Sequence, residues 1–137
     1  MRVIWALDHA LQSRSKAMAR SLGVTGPQRF VLRVVERNPG ITPGALADYL
    51  HLHPSTLTGV LDRLVKRGLL TRARDPRDAR RGLLGLTDSG KKTLAKKAVS
   101  VEGVVRGALA REKPELVDVA TEVLKRITSA LENVGLP

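Results

Sequence analysis

The segment Asp75-Pro76-Arg77-Asp78-Ala79-Arg80-Arg81 places three arginines within five positions. Guanidinium presents paired, planar donors that match phosphate oxygens, and it is drawn to the negative potential of a narrow DNA groove. The flanking runs Leu69-Leu70-Thr71-Arg72-Ala73-Arg74 and Gly82-Leu83-Leu84-Gly85-Leu86-Thr87 are short, apolar and strand-like, so the arginines fall at the tip of a hairpin. Asp75 and Asp78 are the turn-formers, because their carboxylates accept local N–H groups. They can also pair with Arg77, Arg80 or Arg81 and fix the tip, so not every arginine is free for DNA. Arg80 is the expected minor-groove finger, with Arg77 and Arg81 nearer the backbone.

A second cluster lies just upstream. Ser55, Thr56, Thr58 and Gly59 are small and fall on the outer face of an amphipathic helical stripe, followed by Arg63, Lys66 and Arg67. In a helix-turn-helix the second helix reads base edges with residues near its N-terminus. Small polar side chains there let the backbone approach, and basic residues further on hold phosphates. Alone, the pattern better suits a solvated amphipathic helix with a Ser/Thr start. The adjoining arginine hairpin favours DNA. Arg63, Lys66, Arg67, Arg72, Arg74 and Lys91 are the expected phosphate contacts.

Other chemistry is sparse. His51-Leu52-His53 has no thiol or carboxylate cluster beside it and reads as surface or capping histidines rather than a zinc site. The absence of cysteine excludes disulfides and thiolate metal sites. No nucleophile–base pair or glycine-rich phosphate loop occurs, so the residues predict neither an enzyme nor a cofactor or metal.

These clusters need elements to position them. Only Trp5, Phe30 and Tyr49 are aromatic, so Leu, Val and Ala must fill the core, which favours packed helices. Val3, Leu7, Ala10, Leu11, Met18 and Leu22 predict a helix over 2–22. Thr25 and Pro27 open a second, with Phe30, Val31, Val34 and Val35 as its apolar face, stopped by Asn38-Pro39-Gly40. Thr42-Pro43 starts a short third helix with Leu46, Ala47 and Leu50 inward. Leu57, Val60, Leu61, Leu64 and Val65 form the stripe of a fourth, from Pro54 to Gly68. After a hairpin at 69–87, Thr87-Asp88 caps a predicted long helix over 88–111, with Leu94, Ala98, Val101, Val105 and Leu109 on one face. Pro114 opens the last helix, in which Leu116, Val119, Ala120, Val123, Leu124, Ile127, Leu131 and Val134 repeat.

The fold class expected is mainly α (α+β): a winged helix-turn-helix with N- and C-terminal dimerisation helices. Residues 1–24 would be the N-terminal dimerisation helix, 25–90 the DNA-binding lobe and 91–137 the C-terminal dimerisation helices. Apolar stripes at both chain ends need a partner surface, which intertwined helices of a homodimer supply; the alternative is a monomeric cap over the core.

The net charge is +11, and it is concentrated. Residues 54–97 hold twelve Lys/Arg against four Asp, whereas 98–137 hold five against six acids. Such localisation is the electrostatic footprint of a nucleic-acid binder. The rival reading is an architectural or RNA-binding protein without sequence preference; the small-polar start of the fourth helix argues against it. No apolar run approaches membrane-spanning length, and Asp8 and His9 do not suit a signal peptide, so no membrane partner and a cytoplasmic location are expected.

The run Leu61-Asp62-Arg63-Leu64-Val65-Lys66-Arg67-Gly68-Leu69-Leu70-Thr71-Arg72, the arginine turn, and Leu86-Thr87-Asp88-Ser89-Gly90 together resemble the MarR family of bacterial transcription regulators. Thr25-Gly26-Pro27-Gln28 and Thr42-Pro43-Gly44-Ala45-Leu46-Ala47 are also similar to family positions. The resemblance is tight over about residues 20–95 and holds in pattern beyond. It implies a homodimer on a palindromic double-stranded DNA operator, repression of nearby genes and, often, release by a small-molecule effector. It also implies a ligand pocket between the dimerising helices and the DNA-binding lobe, for which Trp5, His9, Gln12, Phe30 and Arg33 are the candidates. A dimer arm shortened at the N-terminus is expected, and the lack of cysteine sets the thiol-oxidation branch aside.

Overall fold

A computed structural model of the chain describes residues 1–76, 78–96 and 99–134, with 79 and 80 described by backbone alone. The described elements are α1 (Arg2–Leu22), α2 (Gly26–Arg37), α3 (Pro43–Leu50), α4 (Pro54–Lys66), β1 (Leu70–Asp75), β2 (Asp78–Leu86), α5 (Asp88–Ala95), α6 (Val101–Leu109) and α7 (Pro114–Asn133). They group into two compact units, Met1–Val101 and Glu102–Pro137. Among the described residues no helix is long and apolar enough to cross a membrane.

Helix boundaries follow side-chain chemistry. Thr25 and Gln28 form a reciprocal capping box at the start of α2. Thr42 accepts from Ala45 N–H at the start of α3. The end of α4 is a Schellman motif, with Gly68 at φ 66. Gly68 N–H donates to Val65 O and Leu69 N–H donates to Leu64 O. Leu64 and Leu69, which this motif brings together, are both buried. The chain is thereby turned straight from α4 into β1.

The core lies wholly in the first unit. Met18 and Leu22 of α1, Val31, Leu32, Val34 and Val35 of α2, Leu46 and Ala47 of α3, and Leu57, Leu61 and Leu64 of α4 pack with Leu70, Leu84 and Leu94. Each of the Leu, Val and Met side chains contributes about 1.5–3 kcal/mol on burial. The hairpin is antiparallel, from Leu70↔Leu86 to Arg74↔Gly82, with an irregularity between Arg74 and Asp75. Only its base is anchored. Leu70 and Leu84 are buried, and Leu84 also exchanges backbone hydrogen bonds with Gly40 and Ile41. From Thr71 to Arg74 the strand is exposed.

Two expectations need correction. Within α2, Phe30 is 46% exposed, whereas Arg29 is only 5% exposed and takes the inward place. The long helix over 88–111 is not formed. It breaks after Ala95, where Lys96 has ψ 123, and resumes at Val101. The break has a physical cause in α2. Arg29 Nη1 donates to Thr93 O at 3.1 Å and Nη2 to Leu94 O at 2.9 Å. A helix leaves its last carbonyls without helical N–H partners, and a guanidinium placed on them suits the negative end of the helix dipole. Leu94 and Val101 still pack against the core, which is why their spacing reads as helical. Ala98, placed on that stripe from the sequence, lies outside the described residues.

Candidate nucleic-acid interface

Burial of Leu57, Leu61 and Leu64 fixes the roll of α4 and turns the opposite face outward. Ser55, Thr56 and Thr58 are exposed and Gly59 is half-buried. Thr58 Oγ1 donates back to Pro54 O at 2.8 Å, and Arg63 Nε donates to Gly59 O at 2.8 Å. Thr56 makes no side-chain hydrogen bond to the described residues. The helix opens on His53, whose Nδ1 accepts from Ser55 N–H at 3.3 Å and lies 2.7 Å from Ser55 Oγ. Asp62, Arg63, Lys66 and Arg67 continue the exposed face.

Arg67 also approaches α1: a Cβ on Gly23, the residue ending that helix, would lie 3.5 Å from Arg67 Nη2. In the wing, Arg72, Arg74 and Arg81 are exposed. Asp75 and Asp78 face each other across the hairpin. Arg77 lies outside the described residues, as does the side chain of Arg80, whose backbone belongs to β2. Among the described residues, Arg63, Lys66, Arg67, Arg72, Arg74 and Arg81 have no carboxylate partner. Lys91 pairs with Asp88 at 3.4 Å, an exposed contact of small energetic weight. Those six arginine and lysine side chains therefore lack a counter-charge among the described residues and are open to an anionic partner.

Thr87 couples the two parts. Its hydroxyl donates to Gly68 O at 2.7 Å and accepts from Gly90 N–H at 3.0 Å, tying the end of α4 to the start of α5. Sequence reading recognised Thr87 as a cap but missed Arg29 and the bond between His53 and Ser55. A basic residue three before Leu32, on the inward spacing of α2, was the available signal for Arg29. The pocket candidates lie on α1 and α2. Trp5, His9 and Gln12 are exposed, and Gln12 bonds Asp8. Phe30 is exposed, and half-exposed Arg33 pairs with Glu36 at 2.9 Å. No group of three or more His or acidic residues is arranged to hold a metal ion among the described residues.

An outward-facing helix start, a second helix packed behind it and a cationic two-stranded wing define a winged helix-turn-helix. The family description "MarR family" matches residues 22–81. The chain is 30% identical over 129 residues to the organic hydroperoxide resistance transcriptional regulator of Bacillus subtilis, covering 94% of this chain and 82% of that one. It is 38% identical over 96 residues to the transcriptional regulator HosA of Escherichia coli, covering 68% and 71%. Among solved structures, PcaV of Streptomyces coelicolor in complex with its natural ligand has 30% identity and a TM-score of 0.69, with 91% of each chain covered. A MarR variant from E. coli complexed with operator DNA has 26% identity and a TM-score of 0.72, over 92% of this chain and 91% of that one. The chain belongs to the MarR family of winged helix-turn-helix transcription regulators, a family of regulators and not of enzymes.

Proposed function

We propose that the protein binds a palindromic double-stranded DNA operator as a homodimer, represses transcription there and is released by a small molecule. The observation that carries the DNA reading is the run of small polar side chains exposed at the start of α4, flanked by cations without carboxylate partners. Ser55, Thr56, Thr58 and Gly59 read base edges in the major groove, where sequence information is rich. Arg80 enters the minor groove, with Arg77 and Arg81 at its rim. Arg63, Lys66, Arg67, Arg72, Arg74 and Lys91 hold phosphates. Residues 25–90 serve as the DNA-binding lobe, and 1–24 with 91–137 as the dimerising parts.

Dimerisation is supported by apolar surface that each terminal helix leaves uncovered. Val3, Ile4, Trp5 and Leu7 of α1, Val104, Val105 and Leu109 of α6, and Leu116, Val119, Val123 and Leu124 of α7 are all exposed. Apolar surface left open along each of these helices suits an interaction face. Release by a ligand is supported by kinship with PcaV, solved with its natural ligand; Trp5, His9, Gln12, Phe30 and Arg33 are the residues proposed to line the pocket of this chain. The B. subtilis relative is named for organic hydroperoxides; this chain has no cysteine, so no thiol can serve as its sensor. A cytoplasmic location accords with the function.

Selection of bound duplexes from a random DNA pool by the full chain tests the reading. A palindrome with half-sites one helical turn apart is the expected outcome. An unenriched pool, or equal capture of RNA, would favour the architectural or RNA-binding alternative.

A further inference from the structure

His53 is not idle at the start of α4. Its Nδ1 lies 3.3 Å from the backbone nitrogen of Ser55 and 2.7 Å from Ser55 Oγ. A backbone N–H can only donate, so Nδ1 must carry its lone pair, and the ring proton sits on Nε2. With Nδ1 an acceptor, the 2.7 Å contact is a hydrogen bond only if the Ser55 hydroxyl donates its single proton inward. Had Nδ1 been protonated, two N–H groups would face each other at the cap.

We infer that His53 fixes Ser55 as an acceptor-only reader, so that its outward lone pairs select a base carrying an exocyclic amino group. A free serine hydroxyl donates or accepts and so discriminates poorly between bases. Ser55 is exposed, and its hydrogen is committed to His53. In the major groove the available donors are adenine N6 and cytosine N4. On the contacted strand, A and C should therefore substitute for one another, and G and T should be rejected. The inference rests on the proposal that α4 enters the major groove. His53 acts here as a positioning residue, because it works through Ser55.

The test uses the full chain and duplexes selected from a random pool, with every half-site base varied singly. Ser55→Ala locates the position that Ser55 reads. At that position wild type should prefer A or C over G or T by about fivefold or more, the low end of a base-pair mismatch. Replacing the favoured adenine with purine, or cytosine with 2-pyrimidinone, removes only the amino group. It should weaken wild type by the same factor and leave Ser55→Ala unaffected. His53→Ala should flatten the preference to within about twofold, the residue of an unfixed hydroxyl. His53→Asn, whose Oδ1 can accept both bonds, should restore it. A purely structural cap would instead make His53→Ala weaken all duplexes equally with the preference intact, which overturns the inference. A G or T preference at the Ser55 position overturns it too. If Ser55→Ala alters no position, the base-reading proposal itself fails and the inference goes with it. Thermal melts of each variant confirm folding.

Discussion

At the residue scale, the readable signals were those that burial forces outward. Leu57, Leu61 and Leu64 point inward, and their helical spacing alone puts Ser55, Thr56 and Thr58 on the open face. Sequence does not reveal which hydroxyls already have partners. Thr58 is bonded to Pro54 O and Ser55 to His53, whereas the Thr56 side chain makes no hydrogen bond to the described residues. Thr56 is thus the side chain whose loss should report most directly on DNA. Thr56→Ala should change melting little, since exposed substitutions away from caps stay within about 0.5 kcal/mol. At the preferred operator it should cost roughly 1–3 kcal/mol and shift the favoured half-site base. Arg80→Ala should instead weaken A·T-flanked sites without changing the core preference, because the minor groove reports width more than sequence. Titrations of both variants against single-base operator variants check the pair. A rewritten core preference in Arg80→Ala would remove the wing assignment. Arg29 escaped sequence reading for the opposite reason. A charge on an inward position reads as an error in the stripe until its acceptors, the carbonyls of Thr93 and Leu94, come from 64 residues away or more.

At the element scale, capping chemistry made most boundaries legible: Thr25 with Gln28, Thr42, Gly68 and Thr87 each act within a few residues. The break between α5 and α6 was not legible, because its cause sits on α2. Arg29→Met keeps much of the side-chain length but removes the guanidinium from both carbonyls, leaving Leu94 O only the longer 3.5 Å bond from Arg33 Nη2. It should destabilise the fold by about 1–3 kcal/mol, the cost of an unsatisfied buried polar group. Gly90 shows why a motif position can look arbitrary in sequence. A Cβ there would fall inside contact distance of the Leu69 carbonyl oxygen and 2.7 Å from Leu86 Cδ1. The obstacle on one side is backbone and cannot rotate away. Gly90→Ala should therefore cost about 1–3 kcal/mol by overpacking, although alanine favours helices. Urea unfolding of each variant gives the measurement. A Gly90→Ala midpoint at or above that of wild type would mean that α5 does not press on the α4–β1 turn.

At the scale of the whole molecule, charge and uncovered apolar surface separate along the chain. The basic excess lies in residues 54–97, while α6 and α7 have no buried residue of their own. An α7 whose Leu116, Val119, Val123, Leu124 and Leu131 are all exposed would be poorly soluble alone. Leu124, 53% exposed, is a clean probe of what covers it. In a monomer, Leu124→Glu would cost little. In a dimer it would bury an unpaired charge, a penalty of several kcal/mol. Sedimentation should show wild type at twice the chain mass and Leu124→Glu dissociated, with helix content largely kept. A wild-type monomer that bound a palindrome with full affinity would remove the dimer from the proposal. Assembly in turn sets the electrostatics. If roughly four of the six phosphate residues engage in each subunit, a dimer neutralises about eight phosphates and the log–log salt slope of operator binding is near −7. Affinity should then fall by about four orders of magnitude between 50 mM and 200 mM salt. A slope shallower than about −3 would mean that the cationic segment does not lie along DNA. Leu124→Glu should roughly halve the slope, because each released subunit carries only its own phosphate contacts. An unchanged slope in a monomeric variant would place the phosphate contacts of both half-sites within a single chain.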